Sequence, residues 1–212
     1  MKLFSPDSKF MRAMSTLGDL MLLNLVFLLC CVPVITMGAS AAALDTAVFR
    51  LSRDRGGQPL AVFFRAFRDN FRPATLLWLV LLLGCGVILL DIRLLSGLQG
   101  APWLLRVPFL LLLVLIFFTG GYAFPLLSQF ENSLRQTLKN ALILSLGCLP
   151  RTLLITALNL FPFALLYYDL YTFLSVGFLW VFLYFAAAAF LIAKLMEKVF
   201  APYRSEEEED RT

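Results

Sequence analysis

The chain of 212 residues contains no histidine. That absence removes Ser-His-Asp and Cys-His nucleophiles, histidine acid–base work and histidine metal ligation. Charge is scarce too. Asp, Glu, Lys and Arg make up 15% of the chain, against about 25% in soluble domains. Cysteine is confined to Cys30, Cys31, Cys85 and Cys148, all within apolar runs and none in a CxxC pair. They read as small packing residues rather than a disulfide framework. No GxxxxGK[ST] loop is present for ATP hydrolysis, no HExxH for metalloproteolysis, and no nucleic-acid-binding motif. These absences predict a protein that is not an enzyme, with no cofactor, no metal and no nucleic-acid partner.

What the chain has in excess is apolar surface. Hydrophobic residues are 60%, against roughly 45–50% in soluble domains, and the mean hydropathy is +0.84. A soluble fold of this size could not hide so much, so the excess calls for lipid. The uncharged windows are 20–44, 73–90, 107–130, 152–168 and 170–193. They predict spans near 18–37, 74–92, 104–125, 151–168 and 172–193. Each must be a helix, because hydrocarbon offers the backbone no hydrogen-bond partner. The expected fold is therefore all-α: a polytopic membrane helix bundle of about five transmembrane helices plus amphipathic interfacial helices.

The expected organisation is one integral membrane domain over 1–205. It holds two degenerate helical hairpins near 18–92 and 104–168, plus the final span. An acidic tail at 206–212, with Glu206–Glu209 and Asp210, is expected to be disordered. The first 41 residues have the outline of a signal peptide, with Ala39-Ser40-Ala41 as a cleavage-like site. The apolar run is long for that purpose, and a retained first span is the preferred reading. Around Pro150, Arg151 and Pro162 the fourth span could instead be a long kinked helix, or an interfacial segment 140–149 leading into a short span.

Orientation follows from basic residues, which favour the cytoplasmic side. The segments 38–73 and 126–150, Arg151 at the edge of the latter, and the C-terminus hold thirteen Lys and Arg; the other side holds five. Five spans then put the C-terminus in the cytoplasm and the N-terminus outside. Lys2, Lys9 and Arg12 conflict with that placement. Six spans would resolve the conflict, but the uncharged windows offer no sixth.

Leu60–Arg72, LAVFFRAFRDNFR, is the most informative stretch. Leu60, Phe63, Phe64, Phe67 and Phe71 recur at helical spacing, with Arg65, Arg68, Asp69 and Arg72 opposite. Phe on one face and Arg on the other suits the membrane interface. Leu44–Asp54 is a second amphipathic segment just upstream. The pair is either a connector hugging the inner leaflet, or a docking surface for a partner, or both. A degenerate echo links Thr36-Met37-Gly38 with Thr119-Gly120-Gly121, and Phe67–Ala74 with Leu134–Ala141. Trp103 suits an aromatic belt at a span end, while Trp78 and Trp180 lie within spans.

No predicted span carries an ionisable residue at its centre. Asp19, Asp91 and Asp169 stand at span ends, which weighs against a proton-coupled pump but not against a passive channel. The candidate intramembrane polar contacts are Asn24, Thr36, Ser40, Thr119 and Asn159. Asn24 and Asn159 are expected to hydrogen-bond neighbouring helices, and Thr36–Ser40 to form a turn after Pro33.

The order of Leu17-Gly18-Asp19-Leu20, Asn24, Pro33–Ser40, Phe63–Arg72 and Phe130-Glu131-Asn132-Ser133 resembles the YesL family of small bacterial membrane proteins. The family is a domain of unknown function whose genes often neighbour carbohydrate ABC importers, polysaccharide-degrading enzymes and two-component sensors. The resemblance implies a multi-pass plasma-membrane protein, accessory or regulatory to carbohydrate uptake, with ABC-importer subunits or a sensor kinase as partners. The alternative is a small-solute transporter or channel in its own right. The resemblance supplies no catalytic residue. The binding residues expected at the membrane surface or a partner are Phe63, Phe64, Arg65, Phe67, Arg68, Phe71 and Arg72.

Overall fold

The computed structural model describes residues 9–53, 58–97 and 102–209, and every regular element among them is helical. Helix α1 (Lys9–Cys31) stops where Pro33 cannot continue the ladder. A 3-10 turn (Val34–Thr36) leads into α2 (Met37–Ser52). Helix α3 (Pro59–Asp69) begins on a proline, which loses nothing at a first turn. It runs through the single break at Asn70 into α4 (Phe71–Gly97). The ladder holds on both sides of the break: Asn70 N–H donates to Ala66 O and Ala74 N–H to Asn70 O, each at 2.9 Å. Pro73, which brings no N–H to this ladder, accounts for the break.

A 3-10 turn (Trp103–Arg106) leads to α5 (Val107–Gln129). Ser133 caps α6 (Leu134–Gly147) by accepting from Gln136 N–H. After the break at Cys148 comes α7 (Leu149–Tyr168), with Pro150 in its first turn. Asp169 caps α8 (Leu170–Ser175), followed by the single turn α9 (Gly177–Leu179). A π-helical turn, Trp180–Tyr184, then opens into α10 (Phe185–Glu209).

Among the described residues, six helical stretches are long and apolar enough to cross a membrane, rather than five. The difference lies in the segment 18–37. It is not one span but the end of α1, a turn, and the start of α2. Hydropathy cannot see the break, because Cys31–Thr36 is as apolar as the helices around it. The remaining spans stand close to expectation, although 172–193 is interrupted by α9 and the π turn. The acidic tail is helical as far as Glu209; glutamate is a good helix former and here extends an anchored helix. Residues 210–212 lie outside the described residues.

Helix α2 occupies the centre, packed against α1, α3, α4, α5 and α10. Its small residues allow this. Gly38, Ala39, Ser40, Ala42, Ala43 and Ala47 are buried, and backbones approach closely where side chains are short. At Gly38 a Cβ would stand 2.4 Å from Ala74 O and 2.5 Å from Trp78 Cβ, so only glycine fits. Leu44, Ala47, Val48 and Phe49 are also buried. Leu44–Asp54 is therefore no surface helix as far as Arg53; Asp54 lies outside the described residues. Phe200 stacks on Phe49 at 5.9 Å and meets the edge of Phe130 at 5.5 Å, closing the core at the arginine-rich end.

The internal echo does not mark equivalent places. Thr36–Gly38 closes a turn, whereas Thr119–Gly121 lies inside α5. Phe67–Ala74 straddles the α3–α4 break, whereas Leu134–Ala141 opens α6.

Candidate functional site

Helix α3 lies beside α2, to which it is joined by a short connection. Phe63 and Ala66 are its buried contacts, and Phe67 is half-buried. The four phenylalanines of the segment do not share one environment. Phe63 points into the bundle, while Phe64 and Phe71 are exposed. Phe63 links to Phe64 edge-on at 5.6 Å and to Phe67 by stacking at 6.3 Å; Phe67 in turn meets Phe71 edge-on at 5.6 Å. This row of rings stiffens the elbow at Asn70.

Arg65, Arg68 and Arg72 are exposed around the same elbow. An open groove of about 460 Å³ is lined by Phe67, Arg68, Asp69, Phe71, Arg72 and Pro73. Guanidinium groups beside exposed aromatic rings can hold phosphate or carboxylate while the rings sit in an apolar surface. All seven residues expected to form the surface thus fall on one elbow, although Phe63 serves the core rather than the surface.

The intramembrane polar residues divide sharply. Asn24 is fully buried and makes three hydrogen bonds, two to the π turn and one to the first turn of α10. Its Nδ2 donates to Trp180 O at 2.9 Å and to Val181 O at 2.7 Å, and its Oδ1 accepts from Ala186 N–H at 2.9 Å. A π turn leaves backbone groups out of the regular ladder, and the asparagine amide meets both kinds. Thr36 Oγ1 lies 2.6 Å from Cys30 O and 2.8 Å from Pro33 O, closing the α1–α2 turn. Ser40 Oγ donates to Thr36 O. Among the described residues, Thr119 bonds within its own helix, to Leu115 O. Asn159 is exposed and makes no hydrogen bond among the described residues, contrary to its expected interhelical role. Tyr184 does that work instead. Its hydroxyl donates to Leu158 O at 2.8 Å, the carbonyl that Pro162 leaves without an N–H.

Two features escaped the sequence reading. One is a polar clasp at the arginine-rich end. Arg53 Nε meets Glu197 Oε1 at 3.2 Å, Arg53 Nη2 donates to Gln129 Oε1 at 2.8 Å, and Ser52 Oγ donates to Glu197 Oε1 at 3.0 Å. It ties together the ends of α2, α5 and α10. The other is Asp45. Once Pro33 is known to divide the first window, Asp45 becomes the midpoint of α2. A candidate span therefore does carry a central acid, and it has no hydrogen-bond or ion-pair partner among the described residues.

Residues 20–92, from α1 to the far part of α4, match the family described as "Protein of unknown function, DUF624". No curated protein and no solved structure matches the chain.

Proposed function

We propose that the protein is a non-enzymatic membrane subunit of the bacterial plasma membrane. It docks a partner or anionic headgroups at the α3–α4 elbow and is accessory or regulatory to carbohydrate uptake by an ABC importer. The observation that carries docking is the elbow itself: Arg68, Phe71 and Arg72 line one open groove, and Phe64 and Arg65 are exposed on the same helix beside it. The carbohydrate link rests on the resemblance to the YesL family. An even number of membrane crossings supports a cytoplasmic position for both ends. Of the eighteen Lys and Arg, only Arg93 and Arg106 then lie toward the opposite face. The conflict raised by Lys2, Lys9 and Arg12 disappears.

The test is genetic and direct. Deletion should reduce uptake of the importer's sugar, and R65E/R68E/R72E should reproduce that loss while the protein still inserts. Unchanged uptake in the deletion strain would sink the reading. Should α2 cross the membrane in full, Asp45 at its midpoint favours a second reading, a small-solute carrier. In liposomes that reading requires solute movement by the purified protein, abolished in D45N.

A further inference from the structure

We infer that α1 and α2 form a re-entrant hairpin whose tip, Leu29–Ile35, ends in the hydrocarbon of the bilayer, so that neither helix crosses it. The partner of this surface is lipid acyl chain. The inference does not depend on any protein partner.

The uncharged window supplies the first argument. Residues 20–44 hold 25 residues without a charge, and the helix break falls in the middle. Within it α1 contributes Leu20–Cys31, twelve residues or roughly 18 Å, and α2 contributes Met37–Leu44, eight residues or roughly 12 Å, at 1.5 Å per residue. The hydrocarbon core is about 30 Å thick. Two such arms are too short to be full spans, but they suit a hairpin that turns partway.

Packing gives the depth independently. Gly38, second in α2, lies against Ala74 and Trp78, the fourth and eighth residues of α4. Trp78 Nε1 donates to Val34 O within the turn at 2.9 Å. Helix α4 then continues for nineteen more residues, about 28 Å. Leu79–Leu90 carries no charge, and the first charged side chain after Trp78 is Asp91. The turn thus stops about 20 Å short of Asp91 along α4. It stands only six residues, about 9 Å, from the level of Arg72.

The tip is built for hydrocarbon. Val32 is 76% exposed and Leu29 71%, with Val34 and Ile35 also exposed. Part of its backbone is paired: Thr36 Oγ1 lies on Cys30 O, Thr36 N–H donates to Pro33 O, Trp78 Nε1 donates to Val34 O, and Pro33 has no N–H to satisfy. The same geometry accounts for Asp45. Seven residues on from Gly38, it lies about 10 Å further along α2, past the level of Arg72 rather than in mid-membrane.

The test uses the native Cys30 and Cys31 in a C85A/C148A background, and V34C in a chain with all four cysteines replaced. The protein is reconstituted into vesicles of phosphatidylcholine and phosphatidylglycerol. A fluorophore on either tip should be quenched more by a nitroxide midway along the acyl chain than by one on the headgroup, a ratio greater than unity. A membrane-impermeant maleimide should not modify the tip from either face, while S96C at the end of α4 reacts from one face. Tip modification from the same face as S96C, or a quenching ratio below unity, would overturn the inference in favour of two full spans.

Discussion

Helices α2 and α4 meet at Gly38, yet they bury themselves very differently. Half of the most apolar stretch in Val34–Ser52 lies inside the bundle, against 17% of that in Phe71–Gly97. The more hydrophobic helix is the less buried one. Helix α4 is rich in leucine and turns Leu76, Leu83, Val87 and Leu90 outward. Helix α2 is rich in alanine and is enclosed. In water the order would be reversed. In lipid, apolar surface gains little by leaving the solvent, so close backbone approach and hydrogen bonding decide what goes inside.

The sharpest way to break this contrast is at its point of contact. Gly38→Leu should destabilise the fold by about 3 kcal/mol or more, because α4 backbone stands where the side chain must go. Gly86→Ala in α4 meets nothing within 4 Å and should be neutral or stabilising by ~0.5–1 kcal/mol. Thermal unfolding in nanodiscs, followed by tryptophan fluorescence, compares the two. Equal effects would show that α2 is not the closely packed member.

The next effect separates the two asparagines. Asn24→Leu strands Trp180 O, Val181 O and Ala186 N–H, and should cost about 1–3 kcal/mol. Asn159→Leu removes no bond among the described residues and should stay within about 0.5 kcal/mol. The same unfolding assay reads both variants, and amide exchange at Ala186 should rise only in the first.

The smallest effect is a pH response outside the spans. The Thr172 hydroxyl, with the Thr172 and Tyr171 backbone N–H groups, holds the Asp169 carboxyl below the usual carboxylate range. A lowered folded value means the cap is fully present above the ordinary carboxylate pKa. It is lost as pH falls through the lowered value. Amide exchange at Tyr171 should therefore increase in strong acid and stay constant near neutrality. Asp169→Asn should flatten the response.

Much of the fold was legible because lipid imposes a simple demand: apolar length for each crossing. The windows beginning at 73, 107 and 152 lead directly to α4, α5 and α7. The elbow was legible as well, since Phe and Arg at helical spacing placed all seven residues together. Phe63 shows the limit. Period alone assigns it to the apolar face with Phe64, but only the approach of α2 decides which ring is buried. The clasp of Arg53, Gln129 and Glu197 joins residues 76 and 144 positions apart, a separation no local pattern encodes.

The sequence by itself determined an all-helical membrane bundle, because composition and the hydrogen-bonding needs of the backbone in hydrocarbon leave no other class. It also determined that the arginine-rich segments gather at one end of that bundle. Only the tertiary structure decided that residues 18–37 are two helices meeting at a turn, that α2 is the centre, and that Asn24 serves a π turn 156 residues away. Those outcomes depend on which helix backbones come close enough to touch. Gly38 against Ala74 is a contact between distant residues, and hydropathy measures only how each residue meets its solvent.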